Sequence, residues 1–401
     1  MIEGGTPPKP ILVTAYRTRA RSYFEIRDLD RAIADYTQVI QRTPEDRFAY
    51  IDRGSAYLAK GDSESAIGDY AHAIELNPRD IRAYLGLGNA LVTKRDADRA
   101  IADYNEAIRL FPKFKEAYLG RGSSYLVKQD LDRAIADYDQ AIQLDPKFKE
   151  AHVGRGNVYG ARGDFDGAIA AHSAAIQLDP GYKDAYICRG EAYRIKGDLD
   201  SAIADYNKAL QLDPGYWRAY LGRAAAFEIK DDYERAIADY DALIGLDPNN
   251  ARAYRVRGIA ELQAGSLVKS LADFDQSGEL DPKNSYTALW REVVARRSNL
   301  PSRLAEAMAQ LDMKKWPAPV VRMFLGETAP EAVLAAADDT DPRVQKGQVC
   351  ETNFYAGELE LQRGSTEEAT RLFRLAAVDC PKTFIEWSAA KAELKALGVN
   401  P

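Results

Sequence analysis

The sequence holds three histidines and three cysteines, the side chains most often used as metal ligands or nucleophiles. Two of the histidines, His152 and His172, stand in a stretch that also contains Gly154, Gly160 and Gly167. A metal or acid–base role would need an acidic or thiol partner at ligand spacing. None is there, so both histidines read as polar substitutes in slots that aromatic residues fill elsewhere. Gly86-Leu87-Gly88 and Gly154-Arg155-Gly156 are dense enough to suggest phosphate loops, but they fall inside helical spacing rather than after a strand. No Ser-His-Asp or Cys-His arrangement appears. The chain reads as a non-enzyme with no catalytic, cofactor-binding or metal-binding residues. Cys350 and Cys380 remain: they lie near adjoining ends of two antiparallel helices, where a disulfide is conceivable. A bridge requires Cα atoms about 4.4–6.8 Å apart, which is shorter than the usual spacing of packed helix axes, so two thiols acting as small apolar residues are the alternative.

The elements that hold these residues repeat. Ala-Ile-Ala-Asp-Tyr or a close variant begins at 32, 66, 100, 134, 168, 202, 236 and 270, a step of 34 residues each time. A fixed period of this size denotes stacked small units rather than one large core. In the stretch 115–148, Tyr118, Arg121, Gly122 and Tyr125 share one helical face, and Ala134, Tyr138 and Ala141 share another. Lys60-Gly61-Asp62 and Lys196-Gly197-Asp198 mark the turn between the two helices, a glycine stop followed by an acidic start. Pro44, Pro78, Pro112, Pro146, Pro180, Pro214, Pro248 and Pro282 end each second helix. The organisation expected is a flexible tail over 1–12, eight hairpins over 13–284, an irregular helical insertion over 285–349 where the period fails, and a ninth hairpin with a capping helix over 350–401.

This pattern of aromatic, glycine, aromatic, alanine, aromatic, alanine and proline resembles the tetratricopeptide repeat. The resemblance covers about two thirds of the chain and places 18 of its 23 tyrosines in packing slots. It implies an all-α, right-handed superhelical solenoid of helix hairpins with a helical C-terminal cap, whose first helices (A) line a concave groove for segments of other proteins. By that geometry the wall carries the residue after each first aromatic: Ile51, Leu85, Leu119, Val153, Ile187 and Leu221, with Arg255 closing the series. Asn89 and Asn157 stand four residues further on, as in repeats that clamp a C-terminal carboxylate, although the lysine those clamps need is missing. Phe114, Phe148, Tyr182 and Tyr216 follow four consecutive loop prolines. They are either staples onto the next helix or a stripe of ligand contacts.

One departure is systematic. Arg19, Arg53, Arg121, Arg155, Arg189, Arg223 and Arg257 precede the helix A glycine or its equivalent, with Leu87 the exception, and Asp35, Asp69, Asp103, Asp137, Asp205, Asp239 and Asp273 stand on helix B. Bidentate pairs are expected, either within a repeat or between neighbours. A formal charge of −7 argues against nucleic acid as a partner. No run reaches the roughly 18 apolar residues of a membrane span, and no signal-peptide stretch or lipid-bearing cysteine opens the chain, so as written it has no export address. Yet Glu351 to Gly357, Ala369 to Ala376, Phe384 to Trp387 and Tyr286 to Trp290 resemble the C-terminal part of NlpI-type tetratricopeptide lipoproteins of the bacterial cell envelope. That resemblance implies a homodimeric adaptor holding proteases or peptidoglycan hydrolases. The other reading is a cytoplasmic chaperone-like or regulatory interaction module.

Overall fold

A computed structural model describes residues 9–381 and 384–400. Every regular element among them is helical. The chain forms two compact units, Met1–Ala192 and Tyr193–Pro401.

The first unit is built from the hairpins α1 (Lys9–Glu25) with α2 (Leu29–Arg42), α3 (Arg47–Lys60) with α4 (Ser63–Leu76), α5 (Ile81–Thr93) with α6 (Ala97–Leu110), α7 (Lys115–Val127) with α8 (Leu131–Leu144), and α9 (Lys149–Arg162) with α10 (Phe165–Leu178), followed by the start of α11 (Lys183–Lys196). Residues 9–12 are helical instead of tail, and the rest of the expected tail, 1–8, lies outside the described residues.

Local chemistry fixes the helix ends. Asp62, Asp96, Asp130 and Asp164 cap the second helices by accepting a backbone N–H three residues on. The preceding turn needs a left-handed residue, and Gly61 supplies it at φ 90° without steric cost. At the same place Arg95 and Gln129 are forced to φ 62° and 60°.

Packing within and between hairpins turns on small residues. Tyr104 on α6 is buried between two glycines: a Cβ on Gly88 of its own hairpin would lie 2.7 Å from the ring, and one on Gly120 of the next hairpin 2.5 Å away. The glycine doublets of the sequence are thus seats for the ring of helix B, and the alanines at 100, 107, 134 and 141 are fully buried around them.

The second unit continues with α12 (Leu199–Leu212), α13 (Trp217–Ile229), α14 (Tyr233–Leu246), α15 (Ala251–Gln263), α16 (Leu267–Leu280) and α17 (Ser285–Arg297). Contrary to expectation the period does not stop at 284. Asn284 caps α17, and Arg291 Nε donates to Asp275 at 2.6 Å from the repeat's arginine position, so α17 is one more helix A. Short helices follow, α18 (Leu304–Ala307), α19 (Ala318–Phe324) and α20 (Pro330–Ala336), then the long hairpin α21 (Pro342–Gln362) with α22 (Thr366–Asp379), and last α23 (Ile385–Ala396). The final hairpin therefore starts at Pro342, eight residues before the expected boundary at 350, because Asp341 caps the helix and Pro342 occupies its first turn. Its Gly357 meets Phe373 as the repeat glycines meet tyrosine, a Cβ there lying 2.8 Å from the ring. Cys350 and Cys380 are joined as a disulfide across this hairpin, with Cα atoms 4.9 Å apart.

Candidate functional site

The arginine and aspartate series is the most regular polar feature. Arg19, Arg53, Arg121, Arg223 and Arg257 each grip the aspartate of their own repeat through both oxygens: Arg53 to Asp69 at 2.8 and 2.7 Å, Arg121 to Asp137 at 2.8 and 2.6 Å, and Arg257 to Asp273 at 2.9 and 2.6 Å. The remaining guanidinium nitrogen reaches back to helix B of the preceding repeat: Arg53 to Thr37 at 3.0 Å, Arg121 to Asn105 at 2.6 Å, and Arg257 to Asp241 at 2.6 Å. So the arginine bonds in both directions at once, and the second set of acceptors escaped the sequence reading because Thr37, Asn105, Asp139 and Ser173 share no residue type. Where helix B has alanine in place of aspartate, Arg155 bonds, among the described residues, only backwards, to Asp139 at 2.8 Å. Where helix A has Leu87, Asp103 is left with no ion pair among the described residues, and burial lifts its carboxyl to about 6. The series is structural glue.

The histidines are packing residues. His172 is 2 % exposed in the ring slot of α10, where a Cβ on Gly156 would lie 2.5 Å from it. Burial, aided by the charge of Arg189, lowers its pKa to about 4, which keeps it neutral. His152 has Nε2 3.1 Å from the carbonyl of Pro146. No group of three or more His, Cys, Asp or Glu among the described residues could hold a metal ion.

In the first unit the A helices α3, α5, α7 and α9 touch in succession and make one wall. The wall residues singled out by the sequence are largely closed over by their neighbours. Ile51, Val153 and Ile187 are only 6 %, 8 % and 5 % exposed, and Leu85 and Leu119 are half-buried: Ile51 and Leu85 pack into the core of α3 to α7, Leu119 against Ala134, Tyr138 and Val158, and Val153 with Ala175 and Ala185. They form the floor. What stands above it is one turn on: Asn89 and Asn157 are exposed, and Asn89 Oδ1 also accepts from Tyr104 at 2.7 Å. Val127, at the end of α7, is 60 % exposed.

The aromatics after the loop prolines are partly covered. Phe114 packs against the core of α3 to α6, and Tyr182 against Val153, Ala175 and Ala185. Lys115 Nζ lies 4.5 Å over the Phe148 ring, and Lys149 Nζ 4.7 Å over Tyr182. Tyr216, in the second unit, stands at the N-cap of α13 without a capping bond.

Family profiles described as "Tetratricopeptide repeat" match residues 15–46, 85–147, 153–216, 213–251 and 221–285, more than half of the chain, and one described as "TPR repeat" matches 54–94. The chain belongs to the tetratricopeptide repeat family. Among solved structures it is similar to a tetratricopeptide repeat protein from Parabacteroides merdae, with 19 % identity, 62 % of this chain and 98 % of that chain covered and a TM-score of 0.48. A thermophilic tetratricopeptide repeat protein of Thermus thermophilus aligns at 23 % identity over 45 % of this chain and 98 % of that one, TM-score 0.42. YrrB, described as having an unusual peptide-binding site, aligns at 24 % identity over 47 % and 97 %, TM-score 0.36. Tetratricopeptide repeats generally mediate protein–protein interaction and are generally not catalytic. No described helix is long and apolar enough to cross a membrane.

The second unit holds a concentration of buried acids that the sequence reading did not single out. Glu351 is 6 % exposed and accepts from Trp316 Nε1 at 2.6 Å and Tyr286 OH at 3.1 Å. Glu386 is 5 % exposed and accepts from Tyr355 OH at 3.3 Å. Burial, then the neighbouring Glu386 charge, pushes Glu351 up to about 8, against the pull of its two donors. Burial likewise raises Glu386. Nearby, Arg297 grips Glu358 and also meets Glu393 at 2.9 Å.

Proposed function

We propose that the protein is a non-enzymatic scaffold whose first unit takes segments of partner proteins along the wall of α3, α5, α7 and α9. The observation that carries this reading is the profile of that wall: a closely packed aliphatic floor of Ile51, Leu85, Leu119 and Val153, continued by Ile187 near the start of α11, with Asn89, Asn157 and Val127 standing exposed above it. An apolar strip edged by side-chain amides suits an extended or helical segment that buries every third or fourth residue and hydrogen-bonds its backbone to the amides. Leu221 and Tyr216 belong to the corresponding face of the second unit, and Phe114, Phe148 and Tyr182 border the first as supports of the floor. A photo-crosslinking residue placed at Asn89, Asn157 or Val127 in the native source should join partners that can be identified and bound again in purified form. The same residue at Ala136, exposed on the helix B side, should not. Equal yields from both sides would overturn the assignment.

A narrower reading is favoured by the Cys350–Cys380 bridge, since structural disulfides persist in oxidising compartments. On that reading the scaffold is a homodimeric envelope adaptor of the NlpI type, tethering proteases or peptidoglycan hydrolases. The rival is a cytoplasmic interaction module. Mass spectrometry of alkylated, non-reduced protein from its source separates them: free thiols at both positions would sink the envelope reading and leave the groove untouched.

A further inference from the structure

Helix α23 does more than cap the last hairpin. Ala389, Ala390 and Leu394 join the core of α21 and α22, and Ile385 packs both against that core and against the apolar cluster where Ala224 of α13 meets Ala253 and Val256 of α15, a cluster that Tyr220 and Leu221 also border. At the other end of α23, Lys395 Nζ reaches Asp231 Oδ2 at 2.7 Å, in the turn between α13 and α14. Between them Glu386 lies close enough to Arg255 for the two charges to interact, while the hydrogen bond of Arg255 goes to Asn284 at 2.8 Å. Leu221 and Arg255 hold the same repeat positions as the floor residues Ile51 and Leu85 of the first unit. The chain's own last helix therefore reaches, at both of its ends, the stretch of wall on which a partner segment of this unit would rest.

We propose that α23 is an intramolecular ligand of the α13–α15 face, and that this face receives a partner only when α23 leaves it. The partner class follows from what α23 presents: an amphipathic helix with an aliphatic residue for the Leu221–Val256 cluster and a cation ten positions later, about 15 Å along the axis, for Asp231. Two features leave α23 displaceable. Docking brings Glu386 beside the buried Glu351, an unfavourable juxtaposition that a partner without that carboxylate avoids. The Lys395–Asp231 pair is half-exposed and holds weakly in salt. The disulfide keeps α22 on α21 when α23 departs.

The idea shares with the proposed function the view that A-helix walls bind partner segments, but its test needs no outside partner and leaves the first unit alone, so the two can fail separately. In the full-length protein, hydrogen exchange should show α23 amides opening at least tenfold faster than those of α21 and α22. A labelled synthetic peptide of residues 384–400 should bind an Ile385→Asp variant at least tenfold more tightly than the unaltered protein, and Asp231→Lys in that variant should weaken binding severalfold. If Ile385→Asp does not fold, Lys395→Glu, at an exposed site, gives the same comparison. Exchange of α23 in step with α21 and α22, equal peptide binding by both proteins, or no binding to a variant whose α23 exchanges freely would each overturn the proposal.

Discussion

Asp103 offers the sharpest test of how the repeats are held together. Its counterparts Asp69 and Asp137 are each gripped by an arginine, but Leu87 stands where that arginine would be, and Asp103 is half-buried without an ion pair among the described residues. Burial raises its carboxyl from 3.8 to about 6, opposed in part by Arg99. A carboxyl whose folded pKa is raised stabilises the fold below about pH 4, where it is protonated in both states, and that contribution disappears as pH rises through about 6. The shift of roughly two units corresponds to at most about 3 kcal/mol, and solvent screening of a half-exposed group reduces it to about 1–2 kcal/mol. Asp103→Asn should therefore raise stability by about 1–2 kcal/mol at pH 7.5, with the gain closing toward pH 4. Because stacked repeats need not unfold as one, urea melts followed by circular dichroism should be paired with hydrogen exchange of α5 and α6. The converse holds one repeat on. Arg121→Leu should cost about 3–5 kcal/mol by stranding Asp137, and Asp137→Asn in that background should restore a large part of it. A neutral or destabilising Asp103→Asn at pH 7.5, or an Asp137→Asn that rescues nothing, would refute the account.

Other consequences are simpler to measure. Gly120→Ala puts a methyl 2.5 Å from the Tyr104 ring, which cannot move without leaving its seat, so a loss of about 1–3 kcal/mol in thermal or urea unfolding is expected. Gln129→Gly relieves a left-handed residue at φ 60° and should gain a few tenths to about 1 kcal/mol despite the added freedom of the unfolded chain, read as a higher melting temperature. Reducing Cys350–Cys380 should cost about 3–4 kcal/mol in loop-closure terms, visible as faster hydrogen exchange throughout α21 and α22, with α3 to α10 unaffected.

The sequence by itself determined the hairpins. A helix of 13 or 14 residues is specified locally: by aspartate caps, by glycine at a left-handed turn, by proline after the last turn, and by alanine and tyrosine at helical spacing. Repetition of these signals made the architecture legible through Asn284. It also exposed which polar residues come in series, so the arginine and aspartate ladder was visible as a composition even though its direction was not. Direction is a tertiary matter: the several donors on one guanidinium can satisfy two neighbours at once, and only the stacking distance between hairpins decides that they do. The same limit applied to the wall. Position after an aromatic says which face of the helix a residue occupies, but not whether the next helix A covers it, and Ile51, Val153 and Ile187 proved to be floor. Past Asn284 the aromatic and glycine signals of helix A lapse and no matching helix B with its alanines and proline follows, so the Asn284 cap and Arg291 alone did not mark α17 as one more repeat helix. Glu351 and Glu386 look like ordinary surface acids in their own helices. They become a buried pair only because α21 and α23, brought together through α22, pack those two faces against each other, an outcome set by the whole C-terminal core and by no single segment of it.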